Sequence, residues 1–523
     1  GRAARHQAVS VRAFLPTRRE LMPAAITAGL LFVAYAPFSL VLPSFVAMVP
    51  FVWALEDAPT HRRTDAQIAW TGYWFGVLAN GVVLYWIVIA LWHFTPLSLA
   101  GYLAAIFVVL APGWALAAWM VARVRRRTGL PLWLVFPIVW TAVEWIAGHL
   151  GDVRFPWLGL GTSLTRVPTL VQFADLGGAL GVTLWLAWAN VLMAGALRGR
   201  AWKPAAVVAT TVVLALGYGG WRERTLVMRP VTTVAVVQPN VGFAEKRENR
   251  EQDSLVLELL ALTRRADSMP GVGLVAWPEA AIADYLFRHP DWEQWIGDLA
   301  RTTRTPIVSG GLDVEWGDTP TSYEYYNAAF VFDSTGSSRS QPSYRKTYLV
   351  PIVERVPFVN PRWFGKLEYF GGFGHGDRFP VYRIAEGGFG IVICYESAFE
   401  DLARGYRRDG ADFLVNVTND AWFGRTAAPY QHASHLVMRA IETRMGIARA
   451  ANTGISEFVD PLGRTYLATG LYEEAVVAGP VLTTDGRTLY VRLGDWIGAL
   501  ALAGAAALLI AAFIRKHPEG ASS

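Results

Sequence analysis

Thirty-five consecutive residues, Leu21 to Leu55, carry no Asp, Glu, Lys or Arg, and a second run, Ala66 to Ala122, extends this over 57 residues. Stretches of that length point to segments that leave water for a bilayer. At about 1.5 Å per residue the first run would make roughly 50 Å of helix, too long for one hydrocarbon core of about 30 Å. Pro37 and Pro43 lie near its middle, so it reads as two short helices. His93 to Pro96, "HFTP", divides the second run into two spans. Pro131–Gly148, Leu176–Leu197 and Pro204–Trp221 follow, and Trp496–Ile514 stands alone near the C-terminus, for an expected bundle of eight transmembrane helices. The chain is 53% hydrophobic with 22 Trp and only 17% charged, a balance foreign to water-soluble proteins. The leading "GRAARHQ" is basic and polar without an apolar core, which does not read as a signal peptide.

Alternating the eight spans sorts the flanking charge. One side receives Arg2, Arg5, Arg12, Arg18, Arg19, Arg62 and Arg63. It also receives Arg123, Arg125, Arg126, Arg127, Arg198, Arg200, Lys203, Arg515 and Lys516. The other side receives Arg154, Arg166, Arg222, Arg224, Arg229 and Arg492. Sixteen against six predicts that both termini are cytoplasmic and that the segment between spans seven and eight lies outside. The expected organisation is a membrane domain of seven helices over 1–229, an extracytoplasmic domain over 230–492, and a final helix with a short tail over 493–523.

The outer segment has a different texture. "TTVAVVQPN", "VGLVAWPEA", "TPIVSGG", "YNAAFVFDSTG", "FGIVICYES" and "ADFLVNVTND" read as strands. Ser254–Ala266, Asp291–Thr302, "FEDLARGYRR" and Gln431–Gly446 read as helices, and "IARAANTGISEFVDPLG" as a hairpin. Strands alternating with helices predict an α/β layered domain, whose chemistry collects where strands end and loops begin. Three such ends carry reactive groups: Glu279 in "AWPEA", Lys346 in "SYRKTYLVP" and Cys394, the only cysteine, in "GIVICYESAF".

A thiol is only a few per cent ionised at neutral pH. A carboxylate can take its proton, and an ammonium can stabilise both the thiolate and the oxyanion of a tetrahedral intermediate. Glu, Lys and Cys are thus sufficient for acyl transfer through a thioester, with no metal or cofactor, and the backbone N–H after the nucleophile is a natural second oxyanion donor. From position alone, however, a cysteine after "IVI" is more often a small buried hydrophobe, and a single Lys or Glu in a loop is usually a surface charge. Spacing does not bring the three together.

Taken in order, "AWPEAA", "YRKTYLVP…E", "ICYES" and "NVTNDAWFG" resemble the nitrilase superfamily, and the membrane spans on both sides of them are similar to those of the bacterial apolipoprotein N-acyltransferases. That resemblance implies an αββα sandwich with Glu279 as general base, Lys346 as oxyanion stabiliser and Cys394 as nucleophile. It implies that Glu354 positions the lysine, that Tyr395 and Glu396 support the nucleophile, and that Trp422 lies near the acyl pocket. "FPWLGLG", Phe155–Gly161, resembles an outer loop of that family. One departure is Arg247, where family members often carry Trp nine residues after the Gln of "QPN". The implied reaction moves the sn-1 acyl chain of a phospholipid to the N-terminal amine of diacylglyceryl-cysteine in an apolipoprotein. A monomer in the bacterial inner membrane, catalytic domain in the periplasm, would suffice.

Other features were weighed against this. Glu354–Pro380, rich in Gly and aromatics, reads either as a lid at the membrane interface or as an ordinary packed loop. Glu144, inside the fifth span, reads by default as an acid with a role, and equally as a structural pair or a snorkelling acid near the outer end. His432 and His435 sit one turn apart but have no third ligand at helical spacing, so helix packing or capping of a loop is the reading favoured over a metal. "GLGTSL" lacks the lysine of a phosphate loop, and the basic clusters are short membrane flanks, which argues against nucleic acid. The competing functions are a membrane-anchored amidase with water as acceptor and a non-catalytic transporter or scaffold.

Overall fold

The computed structural model describes residues 16, 18–57, 63–92, 98–242, 252–318, 323–355 and 372–515. "HFTP", Arg247 and most of the expected lid segment lie outside them. Among the described residues four helices are long and apolar enough to cross a membrane: Ser98–Thr128, Ala174–Gly199, Trp202–Thr225 and Trp496–Ile514. A fifth span results if Asp65–Val83 and Trp86–Trp92, bent by 60°, count as one. Glu20–Ala34 and Leu132–Ala147 are apolar but shorter. These account for four or five of the expected eight spans by length and composition. After Arg18–Ala34, the first charge-free run breaks at its prolines into Val41–Ser44 and the nine-residue helix Val49–Asp57. Nine residues rise only about 14 Å, half a hydrocarbon core.

Aromatic rings close the bundle. The Phe51 ring lies 5.0 Å from Phe75, 5.2 Å from Trp114 and 6.2 Å from Trp140, centroid to centroid. Trp114 comes this near because Gly76 faces it: a Cβ there would sit 2.8 Å from the indole. Glu144 is a structural hub, accepting from Trp140 Nε1 at 2.8 Å, Leu160 N at 2.9 Å and Thr183 Oγ1 at 2.7 Å. Every bond is local to the bundle, so the acid holds the loop after Gly159 against neighbouring helices.

Between residues 229 and 483 the described residues form two six-stranded sheets. The first runs in the order β12 (Ala475–Thr483), β1 (Arg229–Gln238), β2 (Val272–Ala276), β3 (Ile307–Trp316), β4 (Tyr323–Phe332), β5 (Tyr344–Arg345). The second runs β11 (Thr465–Tyr466), β10 (Glu457–Val459), β9 (Gly446–Ala451), β8 (Phe413–Thr418), β7 (Gly387–Ile393), β6 (Tyr382–Ile384). β1, β2 and β3 are parallel, as are β7, β8 and β9. The alternation of side chains along each strand builds the layers. Val234, Val236, Leu274 and Ala276 meet Ile391, Ile393, Val415 and Val417 between the sheets. Ala235, Val237, Val275 and Ile307 face outward under Leu259, Trp292 and Ile296 of helices Gln252–Asp267 and Pro290–Thr303. Val392, Leu414 and Ile447 do the same under Tyr406 and Leu436. The result is helix, sheet, sheet, helix. β12, which the sequence reading missed, pairs antiparallel with β1 along its whole length. Its run, "AVVAGPVLT", contains a Gly–Pro step that reads locally as a turn.

Buried polar contacts join the sandwich to the bundle. Arg444, 1% exposed, donates to Gln172 Oε1 at 2.6 Å and to Asp175 Oδ2 at 2.6 Å. Asp175 also pairs with Arg222 at 3.0 Å. Removing one partner of a buried pair typically destabilises by about 3–5 kcal/mol. With Arg222 still in place, Arg444→Met is expected at the low end, about 3 kcal/mol, measured by denaturant unfolding in detergent.

Candidate active site

The three reactive residues sit at strand ends on one side of the sandwich. Glu279 follows β2, Lys346 follows β5 and Cys394 follows β7. All are buried: Glu279 is 5% exposed, Lys346 0% and Cys394 6%. Lys346 Nζ lies 3.3 Å from Glu279 Oε1 and 2.9 Å from Glu354 Oε1. Asn327 on β4 bridges the same two carboxylates, its Nδ2 donating to Glu279 at 2.7 Å and to Glu354 at 2.8 Å. The other Glu279 oxygen accepts from Asn419 N at 2.9 Å, and the other Glu354 oxygen from Val350 N at 2.8 Å. Both acids are therefore held rigidly. The sequence reading did not single out Asn327; the signal was a lone amide inside the apolar strand "YNAAFVF".

Burial works against charge on Lys346, but Glu279 and Glu354 outweigh it and raise its pKa well above the ordinary value. The lysine is a fixed ammonium. Burial pushes the Cys394 thiol well up and the Glu279 charge adds to this, against the pull of Lys346 and a bond from Thr418. Cys394 therefore rests as a thiol. Cys394 has φ +52°, the left-handed region that costs a non-glycine residue about 1–2 kcal/mol. Such a turn lifts the side chain off the end of β7 towards the cavity.

Glu396 holds that turn. It is fully buried and accepts from Ile393 N at 2.7 Å, Thr347 N at 2.6 Å, Tyr348 N at 3.1 Å and Tyr344 Oη at 2.8 Å. It therefore clamps the nucleophile turn to the lysine loop, and it does not line the cavity beside Cys394. Burial pushes its pKa up to about 7, even though these bonds and Lys346 pull it down. A Gln at this position would turn an N–H toward the donors around it. Hydrogen bonds to a charged group are worth about 1.5–3 kcal/mol, so Glu396→Gln is expected to lower the unfolding free energy by about that much. Acyl transfer should fall in parallel as the turn loosens.

Cys394, Lys346, Glu279, Glu354, Tyr395 and Trp422 line one cavity of about 380 Å³. Its opposite wall is membrane helix: Trp86, Ile87, Ala90 and Leu91 from one segment, Val109 and Leu110 from the next. Tyr395 donates to the Arg154 carbonyl at 2.8 Å and stacks on Phe155 and Trp157, so "FPWLGLG" packs directly on the nucleophile turn. Trp157 and Trp86 both donate to Gln431 Oε1 at 3.0 Å. A larger cavity of about 720 Å³ lies beyond Phe155, between the helices; the three reactive residues do not line it. His432 and His435 do not pair with each other. His432 lines the smaller cavity and bonds Asp420 at 2.9 Å, whereas His435 lines the larger one. His432 packs against Trp157 and Phe423 and bonds Asp420 in the turn after β8, 12 residues away in sequence.

A thiol, a fixed ammonium and a held carboxylate at the strand ends of an αββα sandwich, facing apolar helices, define a carbon–nitrogen-hydrolase-type domain within a membrane protein. The comparisons agree on both halves. Residues 233–483 match the carbon-nitrogen hydrolase family model, and residues 27–192 match that of the apolipoprotein N-acyltransferase N-terminal domain. The apolipoprotein N-acyltransferase of Geobacter metallireducens is 33% identical over 96% of this chain and 96% of its own length. That of Bradyrhizobium diazoefficiens is 32% identical over 94% and 95%, and that of Vibrio vulnificus 30% over 90% and 93%. The chain belongs to the apolipoprotein N-acyltransferase family, an enzyme family of the nitrilase superfamily.

Proposed function

We propose that the protein transfers the sn-1 acyl chain of a phospholipid to the free α-amino group of a diacylglyceryl-cysteine at the N-terminus of an apolipoprotein. Cys394 carries the acyl group between the two substrates. The observation that carries this reading is the cavity itself: Cys394, Lys346 and Glu279 form one wall and membrane helices the other. An acyl chain can enter it without crossing water, which would cost about 0.8 kcal/mol per CH₂.

Cys394 Sγ attacks the ester carbonyl carbon as its proton passes to Glu279. Lys346 Nζ, held by Glu354, neutralises the developing oxyanion, with the Tyr395 N–H as second donor. The carbon–oxygen bond breaks, Glu279 returns the proton to the leaving lysophospholipid, and a thioester remains. The amine of the acceptor then attacks the same carbon, and the thiol leaves. One nucleophile serves both half-reactions, a ping-pong scheme. Trp422, with the helix residues, lines the side of the cavity that would take the acyl chain.

The sandwich faces the periplasm of the bacterial inner membrane in this reading, with both termini cytoplasmic and domain limits at 1–229, 230–492 and 493–523. The sixteen basic residues assigned to the cytoplasmic flanks support it. A reporter fused after Ser523 is expected to be active only in the cytoplasm; periplasmic activity would reverse the orientation. The reaction is tested by intact mass after incubation with a diacyl phospholipid and no acceptor. One added acyl group is expected. Steady release of free fatty acid, with no transfer when a diacylated peptide is supplied, would favour a hydrolase instead.

A further inference from the structure

The acceptor's α-amine has a reference pKa of about 7.7–8 and arrives mostly as an ammonium, which is not a nucleophile. Glu279 handles the proton exchanged between thiol and leaving group, so a second proton needs a second acceptor. We propose that His432 is that acceptor, a catalytic base specific to the amine half-reaction; this rests on the acyl-transfer reading above.

His432 is fully buried on helix Ala428–Thr443 and forms part of the wall of the Cys394 cavity. Its Nδ1 lies 2.9 Å from Asp420 Oδ1. Asp420 is itself held by Arg449 Nη2 at 2.9 Å and Thr418 Oγ1 at 3.0 Å. Burial alone would raise the Asp420 carboxyl, but Arg449 and His432 hold it down to about 2. A permanent carboxylate at Nδ1 selects the tautomer with the proton there and leaves Nε2 as a bare acceptor. Among the described residues, Nε2 is buried with no hydrogen-bond partner. A buried ring nitrogen is rarely left so without a purpose. The rings of Trp157 and Phe423, with centroids at 5.4 Å and 6.0 Å, fix the imidazole plane.

The charged groups around the ring sort by side. Asp420 and Arg449 lie at Nδ1, where Arg449 Nη2 is also 3.2 Å from the ring nitrogen. Glu279, Lys346, Glu354 and Cys394 share the cavity. His435, one turn along the helix, is driven well below the ordinary imidazole pKa by burial and by His432, so it stays neutral. In the step itself, Nε2 takes one proton from the ammonium and becomes imidazolium. The freed amine forms the carbon–nitrogen bond, the carbon–sulfur bond breaks, and the second amine proton returns to Cys394 Sγ through Glu279. The imidazolium then loses its proton to solvent. Atoms and charge balance without a further reactant.

The test separates the half-reactions in the full-length, detergent-solubilised protein. His432→Gln keeps an amide near Nε2 that cannot take a proton; His432→Asn keeps the Asp420 contact but loses Nε2. In both, thioester formation from a diacyl phospholipid should be slowed far less than transfer to the amine. Both should transfer it to a synthetic diacylglyceryl-cysteine peptide about tenfold more slowly at pH 7, where roughly a tenth of the amine is neutral. The deficit should shrink to within about twofold at pH 9 and vanish with methoxyamine, an amine that is neutral throughout this range. Should either variant fail to fold, the wild type alone decides: with His432 taking the ammonium's proton, transfer to the peptide should fall by less than the roughly tenfold loss of neutral amine between pH 9 and pH 7. Equal slowing of both half-reactions, wild-type transfer by His432→Asn, a deficit that persists at pH 9, or wild-type transfer to the peptide that tracks the neutral-amine fraction would each overturn the proposal. If the wild type forms no thioester at all, the acyl-transfer reading fails first.

Discussion

Cys394→Ala is expected to lose at least about 10³-fold in acyl transfer and all of the added acyl mass, with the fold intact. The site is 6% exposed, and the alanine removes only the sulfur, so the lost packing is small. What disappears is the atom that both substrates must meet. Cys394→Ser is the sharper variant, because it keeps an attacking oxygen in the same position. A serine hydroxyl is a far weaker acid than a thiol. In the proposed mechanism Glu279 receives a thiol proton, and an alcohol would hold that proton far more tightly, so serine should also lose at least about 10³-fold. Measurable transfer by the alanine variant, seen by mass of the acylated peptide, would remove Cys394 from the mechanism and leave the cavity a binding site.

Lys346→Met carries the second large effect, and here activity and stability fall together. The lysine is the one cation between Glu279 and Glu354, 3.3 Å and 2.9 Å away. A methionine fills a similar volume but leaves two buried carboxylates joined only through Asn327. Breaking a buried pair in this way costs about 3–5 kcal/mol. Oxyanion stabilisation is lost as well, worth on the order of 10²–10³ in rate. The two losses separate in Lys346→Met/Glu354→Gln. Neutralising the second acid should return much of the unfolding free energy and none of the activity. If the double variant regains transfer, Lys346 is structural and the oxyanion is stabilised elsewhere.

The sequence already contained the two kinds of environment. Charge-free runs of 35 and 57 residues have no stable place in water, and hydrophobic periodicity marked most strands and helices of the sandwich. The reactive types were legible too, since Glu279 and Cys394 each stand where an apolar strand gives way to polar loop and Lys346 stands in a polar stretch before an apolar one. Such properties are local. They depend on the neighbours of each residue in the chain, and burial follows from them directly.

What lay beyond the sequence depends on contacts between distant segments. No spacing predicts that Asn327 would bridge two acids 48 and 27 residues away, or that Glu396 would reach back to Thr347. Among the described residues the eight spans are not matched one helix to one span, because hydropathy measures composition and not helix continuity; after Ala36 the charge-free run is split into the short helices Val41–Ser44 and Val49–Asp57. β12 was invisible because its pairing with β1, more than 230 residues earlier, outweighs a local Gly–Pro turn signal. The contact of His432 with Asp420 was likewise out of reach, because the turn after β8 brings the two together. Residue chemistry and apolar periodicity are written along the chain. Orientation, hydrogen-bond partners and the shape of the shared cavity arise only when sheets and membrane helices close on one another.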